Sequence, residues 1–92
     1  MDIETKYWDC EEIDEINGIL IDKKSNIGKY DSMLYKIQAS DIVYVVWGRV
    51  HLDKLMEDVV VGDHIIIRYT GSIHDNDYSM KRYELEIIND NQ

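Results

Sequence analysis

Aromatic and cationic side chains interleave along this chain: Tyr30, Tyr44, Trp47 and Tyr78 fall among Lys23, Lys24, Lys29, Lys36, Lys81 and Arg82. Flat rings accept stacked bases at ~1–3 kcal/mol each, and cations neutralise the phosphates between them. The chemistry on offer is non-covalent recognition of a single-stranded polyanion. Catalysis has no comparable support. His51, His64 and His74 lie 13 and 10 residues apart, without the one-turn spacing of a shared metal site. Gly28-Lys29 lacks the upstream glycine of a phosphate loop. Cys10, the single cysteine, sits among carboxylates that disfavour the thiolate a nucleophile needs. His51 near Asp53 reads as a hydrogen-bonded surface pair. No enzyme activity, metal or cofactor is expected.

A second group has the opposite sign. Asp9, Glu11, Glu12, Asp14 and Glu15 crowd one short stretch, so that residues 1–15 hold seven carboxylates against Lys6. Residues 16–92 hold twelve against nine bases, so the net charge of −9 is concentrated at the front and the remainder is close to neutral. Adjacent carboxylates are too crowded for a regular phosphate ladder on one strand face. An irregular segment could still display them, either in the protein's own groove or to a basic protein partner. The alternative to a nucleic-acid binder is therefore an acidic interaction module that inhibits a nucleic-acid-directed host-defence enzyme. The plainer expectation packs Tyr7 and Trp8 on the fold and leaves the carboxylates solvated.

At 92 residues the chain forms one domain, read as an acidic segment over 1–15 packing on a domain over 16–92. Domains of this size bury roughly 60–65% of their unfolded surface. The 45% hydrophobic and 32% charged content is that of a soluble globular protein. No apolar run approaches the ~18 residues of a membrane span, and Met1-Asp2-Ile3-Glu4 is no signal peptide. A lone cysteine suits a reducing compartment. A cytoplasmic location, with no membrane partner, is expected.

The elements that position these groups follow from periodicity. Five segments have strand character: Ile16 to Asp22, Met33 to Ala39, Ile42 to Trp47, Asp63 to Thr70 and Met80 to Ile88. Lys23-Lys24-Ser25-Asn26 reads as the loop that ends the first, and Ser40-Asp41 as a tight turn between the second and third. Leu52, Leu55, Met56 and Val59 recur at one-face helical spacing, and Val59-Val60-Val61 then ends the helix. Three strands, a helix and two strands predict a mainly β fold. The layout is a five-stranded barrel of the oligonucleotide/oligosaccharide-binding (OB) type, with one short helix between strands 3 and 4. A ubiquitin-like or SH3-like roll is the competing arrangement.

In an OB barrel the groove lies on strands 2 and 3 and on the 1–2 and 4–5 loops. That places Lys23, Lys24, Lys29 and Tyr30 on the first loop, Tyr35, Lys36, Tyr44 and Trp47 on the face, and His74 and Tyr78 on the second loop. Lys81 and Arg82 lie just beyond it, with Arg68 nearby. Alternation gives the strand rings a competing role as core, because Tyr35 shares a side with Met33 and Ile37, and Tyr44 with Ile42 and Val46. The expected state is a monomer, or a homodimer paired through exposed strand edges.

The segments Val45-Val46-Trp47-Gly48-Arg49-Val50, Leu52-Asp53-Lys54-Leu55-Met56, Val61-Gly62-Asp63-His64-Ile65 and Tyr69-Thr70-Gly71 carry a family resemblance. So do Trp8 ahead of the acidic stretch, Ile16-Asn17-Gly18-Ile19-Leu20, and Lys81-Arg82-Tyr83-Glu84 near the end. Across residues 7–88 the chain resembles small OB-fold proteins of bacteriophages and archaeal elements that bind single-stranded DNA. The resemblance implies a viral or mobile-element protein of that activity. One departure is the stretch Ser72 to Ser79, where relatives often carry lysines and glycines.

Overall fold

The computed structural model describes residues 3–29, 31–75 and 78–88, with Tyr78 described by its backbone alone. Strands β1 (Glu4–Tyr7), β2 (Glu15–Ile27), β3 (Ser32–Ala39) and β4 (Ile42–Trp47) precede helix α1 (Val50–Leu55). A 3-10 turn (Met56–Asp58), β5 (His64–Asp75) and β6 (Tyr78–Ile88) complete the described chain. The fold is mainly β with one short α-helix.

The described strands form one six-stranded sheet in the order β1-β4-β3-β2-β5-β6, open rather than hydrogen-bonded into a closed barrel. Among the described strands only the β1–β4 pair is parallel. Three successive antiparallel strands, with β5 returning beside β2, give the Greek-key order β4-β3-β2-β5. The expected seam of a closed barrel would join the third and fifth predicted strands, here β4 and β6. β1 occupies that edge of β4 instead. Its sequence, Glu4-Thr5-Lys6-Tyr7, is exposed throughout and carries no apolar alternation to announce a strand.

Two expected loops are strand. Lys23 and Lys24 pair with Tyr35 and Leu34, so β2 runs on to Ile27 before the turn at Gly28. Likewise β5 continues to Asp75, with His74 opposite Ser79. Antiparallel pairing satisfies the backbone in both extensions without an apolar face, which is why a polar run conceals them. The expected turn at Ser40-Asp41 is present, with Ser40 at φ 61° and Ala39 paired to Ile42.

One face of the sheet forms the core. Ile16 and Leu20 of β2, Tyr35 and Ile37 of β3, Tyr44 and Val46 of β4, and Ile65 and Ile67 of β5 alternate inward. Leu52, Met56 and Val59 join the same buried cluster, which is why the α1 segment keeps helical spacing over so short a length. Among the described residues no helix is long and apolar enough to cross a membrane.

Candidate functional site

The acidic segment forms a strap between β1 and β2. The Trp8 backbone N–H donates to Val45 O at 2.9 Å, continuing the line of β1 along β4. Its indole N–H donates to Ile13 O at 2.6 Å, and its ring packs on Tyr83 at 5.9 Å between centroids. Between these anchors the chain turns tightly. Asp9 O accepts from the N–H groups of Glu12 and Ile13, and Asp9 Oδ1 accepts from the Glu11 N–H at 3.0 Å. Asp14 O then accepts the Tyr69 N–H at 2.8 Å. The strap thus carries the chain from the edge of β4 to the β5–β6 pair. Tyr7, expected to pack with Trp8, is instead 70% exposed.

Beside the strap runs a cleft bounded by the end of β4, the start of α1 and β6. Its inner part, about 180 Å3, is lined by Trp8, Asp9, Cys10, Trp47, Arg49, Lys81 and Tyr83 among others. Its outer part, about 290 Å3, shares Arg49 and Lys81 and adds His51 and Ser79. Trp47 ends β4 and is 43% exposed. Gly48 sets the turn into α1: its N–H donates to Met33 O at 2.7 Å, and a Cβ there would lie 2.5 Å from Asp53 Oδ1. Asp53 is held by the Tyr35 hydroxyl at 2.6 Å rather than by His51. The expected His51–Asp53 pair is therefore replaced by two separate contacts.

His51 accepts the backbone N–H of Tyr83 on Nδ1 at 3.0 Å, which joins α1 to β6. Burial first, then the positive charges of Arg82 and Lys54, hold its pKa below the ordinary value of 6.5. The Tyr83 hydroxyl is pushed up to about 12, mainly by burial and next by Cys10. Lys81 Nζ lies 3.5 Å from Glu11 Oε2, 3.7 Å from Cys10 Sγ and 5.9 Å above the Tyr69 ring centre.

Of the residues expected to bind nucleic acid, Trp47 and Lys81 line this cleft and Arg82 follows on β6. The others lie elsewhere. Lys23 Nζ donates to Met56 O and Val59 O at 2.9 and 2.8 Å, tying β2 to the helical turn. Lys24 pairs with Asp22 at 3.5 Å. Lys29 is exposed near the β2–β3 turn, and Lys36 sits on the outer face of β3 opposite Val45. Tyr44 is buried against the inner face, where it offers no open ring for stacking. Tyr30 and the side chain of Tyr78 lie outside the described residues. Arg68 pairs with Glu15 at 3.2 Å and more distantly with Glu86 at 3.9 Å.

Arg49 and His51 were not legible as site residues. They gain that character from β6, whose partner position Tyr83 is distant in sequence and close only in the fold. Among the described residues no three His, Cys, Asp or Glu side chains assemble as metal ligands. No family model, curated protein or solved structure matches the chain.

Proposed function

We propose that this protein binds single-stranded nucleic acid without catalysis, along the cleft between the end of β4, α1 and β6. One observation carries the proposal. In a chain of net charge −9, Trp47, 43% exposed, lines the inner half of a cleft that also holds Asp9, and the outer half is lined, among the described residues, by Arg49, His51 and Lys81 and by no carboxylate. Stacked bases contribute ~1–3 kcal/mol each, so a few stacks with backbone neutralisation reach the ~8 kcal/mol of micromolar binding. The Greek-key order supports an OB-like architecture in which β2 to β6 are the five strands, with β1 and Trp8 filling the seam between β4 and β6. The resemblance to phage proteins favours DNA and a viral or mobile-element origin.

A titration of the full chain with a labelled oligonucleotide of about a dozen nucleotides, followed by anisotropy at low salt, tests the proposal. Micromolar binding is expected. Affinity no tighter than millimolar contradicts it.

The exposed strap supports a second reading, an acidic module for a basic protein partner, because Glu12 and Glu11 face solvent at its crest. Removing residues 1–12 cannot separate the two readings cleanly, since β1 pairs with β4 and Trp8 packs on Tyr83. Charge-neutral substitution does: Glu11→Gln with Glu12→Gln preserves or improves oligonucleotide binding on the first reading and abolishes capture of a basic partner on the second.

A further inference from the structure

We propose that the outer part of the cleft is a phosphate seat, in which Arg49, Lys81 and the Nε2–H of His51 hold one phosphate group. The inference deepens the nucleic-acid reading by placing a particular group of the ligand, and it rests on that reading only for the source of the phosphate.

The donor set is the first argument. Among the described residues every ionisable side chain lining this pocket, Arg49, His51 and Lys81, is basic, and the Ser79 hydroxyl joins them. The chain has nineteen carboxylates against ten Lys and Arg, so a lining free of acid runs against its composition. Arg49 can meet two phosphate oxygens with a forked pair of N–H bonds, and Lys81 adds a point charge.

The imidazole is the second. The Tyr83 backbone N–H is obligatorily a donor, so the Nδ1 it meets at 3.0 Å must carry a lone pair. The neutral ring then carries its proton on Nε2, on the opposite side from the Tyr83 contact. That N–H suits an anionic acceptor, and Arg82 and Lys54 already make the surroundings electropositive. Glu11 reaches the site through its 3.5 Å pair with Lys81, where a phosphate oxygen would compete, and Asp9 lines the adjoining inner part of the cleft.

Space is the third. A volume of about 290 Å3 is several times the ~30 Å3 a water molecule takes in the liquid, enough for a phosphate with part of its hydration.

The test is a 1H–15N NMR titration of the full chain with inorganic phosphate, repeated with Arg49→Gln and with Lys24→Gln as a remote control. Alongside it, the same chains are titrated with oligonucleotides bearing or lacking a 5′ phosphate. The expected result is saturable shifts of the Arg49 and His51 side-chain signals at millimolar phosphate. Arg49→Gln weakens phosphate and oligonucleotide alike about tenfold, and Lys24→Gln leaves both unchanged. Tighter binding of the 5′-phosphorylated strand assigns the seat to a strand end, and equal binding assigns it to an internal phosphate. If phosphate moves these signals but no oligonucleotide binds, the seat stands and the nucleic-acid reading falls. If phosphate binds equally to a folded Arg49→Gln chain, or the Arg49 and His51 signals of the parent never move, the seat is overturned.

Discussion

Glu11 Oε2 lies 3.5 Å from Lys81 Nζ, so the acidic strap rests a carboxylate on one of the two cations that line both halves of the cleft. Both side chains keep solvent contact, and such pairs contribute only ~0.2–1 kcal/mol. A polyanion can therefore displace Glu11 at small cost. The strap is positioned to tune the cleft rather than to seal it.

Glu11→Gln is accordingly expected to raise oligonucleotide affinity by about two- to fivefold and to steepen its dependence on salt, because Lys81 becomes free to replace a counterion. Anisotropy at two or more salt concentrations measures both. Unchanged affinity with an unchanged slope would remove Glu11 from the ligand's path.

Lys23 separates structure from binding. Its ammonium donates to Met56 O, which opens the 3-10 turn, and to Val59 O, which follows it. Lys23→Met removes both bonds and is expected to destabilise the fold by ~1–3 kcal/mol, as hydrogen bonds to charged groups do. Urea denaturation measures the loss. Oligonucleotide affinity of the folded variant should stay within twofold. A stable variant that has lost binding would return Lys23 to the nucleic-acid surface.

The same residue shows what could be read from sequence. Lys23-Lys24-Ser25-Asn26 is polar and looks like a loop, yet Lys23 and Lys24 are paired strand residues. Polarity reports the absence of a buried face, not the absence of pairing, so β2 and β5 both outrun their apolar cores. Where a buried face exists the pattern was legible: the inward alternation of β3, the Ser40-Asp41 turn and the helix that buries Leu52 and Met56 all follow from it. β1 left no trace, because an exposed edge strand needs only backbone partners. In the candidate site, Trp47 and Lys81 were visible as residue types. Arg49 and His51 acquire meaning only when β6 crosses α1.

Protonation of His51 should cost stability. Its pKa is lowered on folding, so the unfolded chain binds the extra proton first as pH falls below 6.5. Stability is thus expected to decline from pH 6.5 down to the lowered folded value and to lose nothing further to this group below it. His51→Gln, which keeps an acceptor for the Tyr83 N–H, should flatten that part of the profile. Thermal melts from pH 7.5 to 5 compare the two chains. Parallel profiles would mean that His51 is not the titrating group.

At the alkaline end two tyrosines act in the same direction. Burial raises the Tyr35 hydroxyl strongly, with Asp53 adding to the shift, and raises Tyr83 to about 12. Groups raised on folding stabilise fully below their unfolded value of 10.0, so stability should fall as pH rises from 10.0 towards 12. Tyr35→Phe leaves Asp53 without its donor and is expected to cost ~1–3 kcal/mol at neutral pH. Denaturant titrations at neutral and alkaline pH measure both effects. A Tyr35→Phe chain as stable as the parent would show that solvent replaces the hydroxyl at no cost.

The most direct measurement is the salt-dependent affinity of a labelled oligonucleotide of about a dozen nucleotides for the parent chain, Trp47→Ala and Arg49→Gln. Loss of the exposed ring should weaken binding by ~1–3 kcal/mol and leave the salt slope unchanged. Loss of the guanidinium should weaken it and lower the slope by ~0.7, the counterion share of one single-strand phosphate contact. Parent-like affinity and slope in both folded variants would contradict a nucleic-acid interface at this cleft.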